Sequence, residues 1–200
     1  MYWQVYLHKT VLSSEYLLIN VLARARELAL KNAELFATPV LKAFLTHPIT
    51  LADFQSNRLI NGRPVLDLFA NLDDNDIIAS IKEWQNHPDF VLSYLSRCII
   101  NRRLYKIKIT KKPIPEHKIA LLKEKICGQF HICDEDMRYF LITNTITNSA
   151  YNKDSSEKIT VLFKNNKTND IAEASDIDLS VFSQTVRKYF ICYPKELDIK

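Results

Sequence analysis

The sequence predicts an α+β protein, with a helical amino-terminal part, about residues 2–103, packed on a carboxy-terminal antiparallel sheet with two helices. Three observations carry that reading. Apolar residues recur at helical spacing through the first hundred positions, and at Leu104 the pattern changes to strict alternation in Tyr105-Lys106-Ile107-Lys108-Ile109-Thr110. Beyond it, the order strand, helix, strands, helix and tail strand makes an α+β unit with an antiparallel sheet and helices on one face.

The elements follow in order. From Leu12 the apolar set Leu18, Val21, Leu22, Ala25, Leu28 and Ala29 lies opposite a wetter face of Arg24, Lys31 and Glu34, which is an amphipathic helix. Thr10 or Ser13 can cap it, and Pro39 marks its limit, because a residue before proline avoids helical dihedrals. A separate helix from Tyr2, joined by a bend at Thr10, is the alternative start. Val40 to Leu45 and Ile49 to Phe54 are short helical pieces, and Asn61-Gly62-Arg63-Pro64 is a turn. Val65 to Ala70 comes next. The carboxylates of Asp73, Asp74 and Asp76 suit the amino end of a helix carrying Ile77, Ile78, Ile81 and Trp84. A further helix runs from Pro88-Asp89 to Arg102-Arg103.

In the second part, Pro115 to Gly128 reads as a helix with proline in its first turn and glycine just past its end. Arg138 to Thr145 is β-rich, Lys158 to Lys164 places Ile159, Val161 and Phe163 inward, and Asp170 to Ala174 is a short strand. Asp178 to Phe190 reads as a last helix, with Leu179, Phe182, Val186 and Tyr189 on one side. The division is therefore 1–103 and 104–200, without a Gly/Ser-rich linker between.

Composition narrows the function classes. With 200 residues, 47% of them hydrophobic, and only 2 Gly and 7 Pro, the chain has the apolar surface to offset its chain entropy, so it folds. The net charge of +4 permits phosphate contact without demanding it. Cys98, Cys127, Cys133 and Cys192 make no Cys-x-x-Cys pair, which argues against zinc and for reduced thiols. The opening residues lack an export signal and no 18-residue apolar run follows, so the expectation is a cytoplasmic, soluble protein with no membrane contact. Two glycines nearly exclude glycine-built phosphate cradles.

Two basic clusters stand out. Tyr6-Leu7-His8-Lys9 opens the chain, and Arg102, Arg103, Lys106, Lys108, Lys111 and Lys112 put six cations in eleven residues without an acid. On residues alone, each has a plainer reading. Tyr6 is a core aromatic with His8-Lys9 on a solvated helix surface, and the lysines protect an exposed edge strand from aggregation. A third reading of the second cluster is that it holds nucleic-acid phosphates without reading sequence, as a stand-alone module for nucleic acid or a protein partner.

Both clusters carry a resemblance. Tyr6-Leu7-His8-Lys9 resembles the Tyr-x-His-Lys helix that follows the metal-binding half of HD-domain nucleotide phosphohydrolases, the group containing the dNTP triphosphohydrolases. Arg102-Arg103-Leu104-Tyr105-Lys106 resembles that family's Arg-x-Leu-Phe-Lys junction from helix to strand. The resemblance implies a carboxy-terminal portion of such an enzyme, with Tyr6 facing the substrate sugar and His8, Lys9, Arg102 and Lys106 contacting an activating nucleotide, dNTP or GTP, between subunits. It also implies a homo-oligomer, dimer or tetramer, and a partner in the HD lobe that carries a divalent metal. The family's basic run before the tyrosine is Tyr2-Trp3-Gln4-Val5 here.

An HD site needs a His, a His-Asp dipeptide and a further Asp to hold metal and activate water. His8, His47, His87, His117 and His131 are followed by Lys, Pro, Pro, Lys and Ile. The dipeptide does not occur. The expectation is therefore a lobe that holds no cofactor and hydrolyses nothing alone, contributing an oligomer interface and part of a nucleotide pocket.

Overall fold

The computed structural model describes residues 7–148, 159–170 and 186–197. Its helices and antiparallel strands form an α+β fold. The first helix, α1 (Lys9–Leu30), is capped by His8, and the seven-residue stretch after its cap residue Lys31 leads to α2 (Pro39–Thr46), capped by Thr38. That stretch is tied down from α5 (Asp74–Trp84): the Trp84 indole donates to the Phe36 carbonyl at 2.8 Å. α3 (Leu51–Gln55) and α4 (Val65–Ala70) flank a hairpin of β1 (Leu59–Ile60) and β2 (Arg63–Pro64). Asn61 and Gly62 both have positive φ, 51° and 77°, as a two-residue primed turn requires. Asp73 caps α5 and the Asp76 side chain returns the bond to its backbone N–H, a reciprocal box that satisfies amides with no partner inside the helix.

α6 (Phe90–Ile100) begins at the Asp89 cap and stops at the predicted basic pair. Arg102 takes the left-handed conformation, φ 54°, while its amide donates to Ile99 O and that of Arg103 to Cys98 O, a Schellman ending. The chain then enters β3 (Lys106–Thr110). α7 (Glu116–Phe130) and the single turn α8 (Met137–Phe140) precede β4 (Ile142–Asn148). β5 (Thr160–Leu162) and β6 (Thr168–Asp170) form a separate hairpin, and β7 (Val186–Tyr193) closes the main sheet.

The order of that sheet is β3-β7-β4, all antiparallel. Ile107, Ile109, Phe190, Cys192 and Asn144 share one face by register, and α1 lies on it. Tyr16 of α1 meets Phe190 with ring centroids 5.1 Å apart, the Asn144 amide donates to the Tyr16 hydroxyl at 3.1 Å, and the Ser13 hydroxyl donates to Tyr105 O at 2.8 Å. On the opposite face Ile114 and Ile119 approach Thr143, Thr145 and Tyr189. One apolar cluster runs from Leu12, Leu17 and Val21 through Trp84, Leu92 and Leu95 to Phe140, Phe190 and Tyr193, joining the helical part to the sheet.

Several expectations are corrected. Val186 to Phe190 is strand, not the end of a helix, and it is the central one. Phe190, Ile191, Cys192 and Tyr193 are all buried, so both sides of the strand face protein and the alternation that marks a half-exposed strand is missing. Residues 171–185, including Leu179, Phe182 and the stretch 171–174 read as strand, lie outside those described. Within Arg138 to Thr145, the first residues form α8 because its buried Met137, Tyr139 and Phe140 belong to the aromatic core. Ile159 and Phe163 do not point inward: the β5–β6 ribbon leaves them 54% and 40% exposed. Gly128 sits inside α7, which ends three residues later with His131 in the left-handed cap, φ 51°. α1 ends at Leu30, well short of Pro39, and starts from His8 rather than Thr10 or Ser13.

The far end of α1 is held by charge. Arg24 donates from Nε and Nη2 to the two Asp89 carboxylate oxygens, 3.1 and 2.7 Å, and from Nη1 to Asp136 at 3.0 Å and Glu27 at 3.3 Å. Glu27 also receives Arg138, and both arginines lie over the Tyr139 ring. One guanidinium thus joins α1 to the cap of α6 and to the turn before α8. Burial alone would raise the Asp89 carboxyl, yet the Arg24 hydrogen bonds, the Leu92 amide and the Arg24 charge outweigh it and hold it below the usual aspartate range.

Replacing Arg24 by Met should cost about 3 kcal/mol, because two largely shielded carboxylates lose their partner. The double variant Arg24→Met, Asp89→Leu should recover part of that loss, which urea unfolding of the three proteins measures. The pH dependence has a fixed sign. With Asp89 lowered in the folded state, its contribution is complete above the unfolded value of about 3.9 and is lost as pH falls through the lower folded value. The urea midpoint of the native chain should drop below pH ~4 more steeply than that of Arg24→Met.

Candidate functional site

The sheet register and the anchors on α1 place the start of that helix beside the ends of β3 and β7. Ser13 and Tyr16 fix the second turn against Tyr105 and Phe190, so the first turn overhangs the far end of β3. There Leu7, His8, Lys9, Ile109, Thr110, Lys111 and Lys188 line a groove of about 460 Å³. Four of these seven side chains are Lys or His and none is acidic. Lys188 comes from β7 opposite Ile146, on the same face as Phe190 and Ile109, and this brings it under the helix start.

The helix end adds to that charge. The first-turn amides of an α-helix have no partner inside the helix, and the aligned peptide dipoles leave partial positive charge there. Sequences commonly place an acid at such a position, whereas the first turn of α1 contains none and begins with Lys9. One amide is already satisfied: Thr10 N–H donates to His8 Nδ1 at 3.2 Å. Because Nδ1 is the acceptor, the proton of the neutral ring sits on Nε2, which makes the outer nitrogen a donor. Among the described residues the groove thus gathers one imidazole donor, three ammonium groups and a helix amino end. This donor set suits a phosphate-rich anion, with each lysine acting as a point charge.

The residues singled out from sequence separate into two places. His8 and Lys9 line the groove. Arg102 and Lys106 stand at the opposite end of β3, where Lys106 pairs with Tyr193 while Thr110, at the groove, pairs with Tyr189. Four residues of strand separate those ends, roughly 13 Å. Lys106 also points to the other side of the sheet from Ile107 and Ile109, and Arg102 is exposed on the Schellman turn. Tyr6 lies outside the described residues. Lys111 belonged to the basic run but was not singled out, and Lys188 gave no signal once its segment was read as helix. A strand reading of Arg187 to Tyr193 puts Lys188 on the Phe190 side at once.

The described residues bring together no ligand set that fits a metal ion: no three His, Cys, Asp or Glu side chains among them cluster. Asp73 and Asp76 are consumed in capping α5, with their carboxylates engaged by backbone amides and Asn75. Cys98 and Cys192 are buried, and burial pushes both thiols up, to about 11 and about 12, which keeps them protonated and poor ligands at neutral pH. Among the described residues no helix is long and apolar enough to cross a membrane.

No family model matches the chain. It is 25% identical to the uncharacterized protein YwfO of Bacillus subtilis, over 98% of this chain and 43% of that protein. Its fold is similar to the crystal structure of a phosphohydrolase from Bacteroides thetaiotaomicron, with 41% identity, a TM-score of 0.80, and 98% of this chain matched to 47% of that one. The chain therefore spans less than half the length of the relatives it matches, and along almost all of its own length it resembles part of a phosphohydrolase.

Proposed function

We propose that this chain is a non-catalytic lobe of an HD-type nucleotide phosphohydrolase, and that the groove at the start of α1 binds the polyphosphate of a nucleotide. The observation that carries the reading is the convergence of His8, Lys9, Lys111 and Lys188 on a helix amino end, in a chain 41% identical to a phosphohydrolase. The chemistry is recognition. Lys9, Lys111 and Lys188 offset the triphosphate charge, His8 Nε2 donates one directional bond, and the first-turn amides of α1 complete the cradle. Metal and the water nucleophile would come from the HD lobe, whose His-Asp pair this sequence lacks. Tyr6 would close on the sugar, and Arg102 with Lys106 would form a separate phosphate contact at a dimer or tetramer interface.

Thermal unfolding with inorganic tripolyphosphate, dGTP and a single-stranded oligonucleotide tests this. A ligand at one hundred times its Kd should stabilise the chain by about 2.7 kcal/mol, and a tenfold weaker Kd should leave about 1.4 kcal/mol. Tripolyphosphate and dGTP should both stabilise, and Lys111→Ala or Lys188→Ala should each reduce the effect at least tenfold in Kd. Stabilisation by the oligonucleotide alone, lost steeply with salt, would favour a nucleic-acid module that uses the 102–112 cations. Release of triphosphate from dGTP by the purified chain, with Mg²⁺ or Mn²⁺ present, would contradict the non-catalytic assignment.

A further inference from the structure

α1 is apolar on two sides. Leu12, Leu17, Val21 and Ala25 are buried against the protein, as one amphipathic stripe requires. A second stripe remains outside: Ile19, Leu22, Ala23, Arg26 and Leu30 follow at intervals of three, one, three and four, and Ile19 and Leu30 are 50% and 53% exposed. Leu22, Ala23 and Arg26 of this stripe form one wall of an open groove of about 560 Å³, whose other walls come from Phe44 of α2, Phe54 of α3, Phe69 of α4 and Ile77 of α5, and Ile19 and Leu30 extend the stripe along α1 beyond it. Phe69 stands between Phe44 and Phe54, with centroids at 6.3 and 5.8 Å in edge-on contact, yet 57% of it is exposed, as is 56% of Leu66 one turn away. An exposed apolar surface of this extent marks an interface.

We infer that this face is the seat of a second lobe, the kind carried by the Bacteroides phosphohydrolase in the 53% of its chain that lies outside the match. The inference rests on the reading of the chain as one lobe of such an enzyme. The length of the stripe decides against a small ligand: from Ile19 to Leu30 is eleven residues, about 16 Å of helix, which a packed helix covers and a single apolar molecule does not. Arg26 is the one charge on the stripe, so the seated helix presents an acid or a carbonyl end opposite it. The face lies on α1 beyond the residues that build the basic groove, which leaves the phosphate site open when the lobe is seated.

The test uses a full-length chimera in which this chain replaces the matching stretch of the Bacteroides phosphohydrolase. Ile19→Cys and, separately, Phe69→Cys are made in the chimera and in the chain alone, and reaction with a maleimide is followed at each position by peptide mass spectrometry. Both sites should label at least tenfold more slowly in the chimera than in the isolated chain. Equal rates in the two contexts would overturn the inference, and so would a chimera that fails to fold while the Bacteroides parent folds. Labelling of the isolated chain that slows with rising concentration would assign the face to a second copy instead. Tripolyphosphate binding to the isolated chain is independent of these outcomes, so loss of the seat and loss of the phosphate reading are separable.

Discussion

The position of α1 is the constraint on which the rest of the molecule depends. A helix of 22 residues crosses the sheet, and it is held near both ends by interactions of different kinds. At its start the Ser13 hydroxyl and the Tyr16 ring fix it to β3, β7 and β4. Toward its end Arg24 engages carboxylates from the cap of α6 and from the turn before α8, which come from distant parts of the sequence. Both sets together leave the helix little freedom to slide or rotate. Its first turn, with His8 and Lys9, is thereby presented at the one sheet corner where Lys111 and Lys188 emerge.

That arrangement explains how a mild overall charge yields a strong local one. The net charge of +4 is spread over 27 basic and 23 acidic residues, too little to mark a binding surface by itself. The fold concentrates it. Asp73 and Asp89 cap helices and Asp89 also neutralises Arg24, while the groove receives lysines from three separate segments. His8 has two duties there, since one ring nitrogen caps α1 and thereby leaves the other as a donor.

Much of the helical part was legible because each element carries its own punctuation. Asp73 with Asp76, Asp89, and Asn61-Gly62 are local signals that act within one turn, and the chain begins a helix or reverses where they stand. β3 was legible from its alternation. β7 was not, because a central strand covered on both faces is apolar at successive positions, and spacings of three and four can be picked from such a run. The error had a functional cost, for it removed Lys188 from view. The separation of Lys106 from His8 was equally illegible, as it depends on which face of β3 meets α1, a tertiary choice that no local pattern reports.

The central claim is that the phosphate-binding surface complete within one chain is the corner under α1, whereas the basic start of β3 would contact phosphate only at a subunit interface. Backbone amide shifts of the ¹⁵N-labelled chain, titrated with inorganic tripolyphosphate at low and moderate salt, localise the contact residue by residue. The account predicts saturable changes concentrated at His8 to Leu12, Ile109 to Lys111 and Lys188, with Arg102 to Lys106 left nearly unmoved. Changes confined to Arg102 to Lys108, or spread over all exposed lysines without saturation, would contradict it.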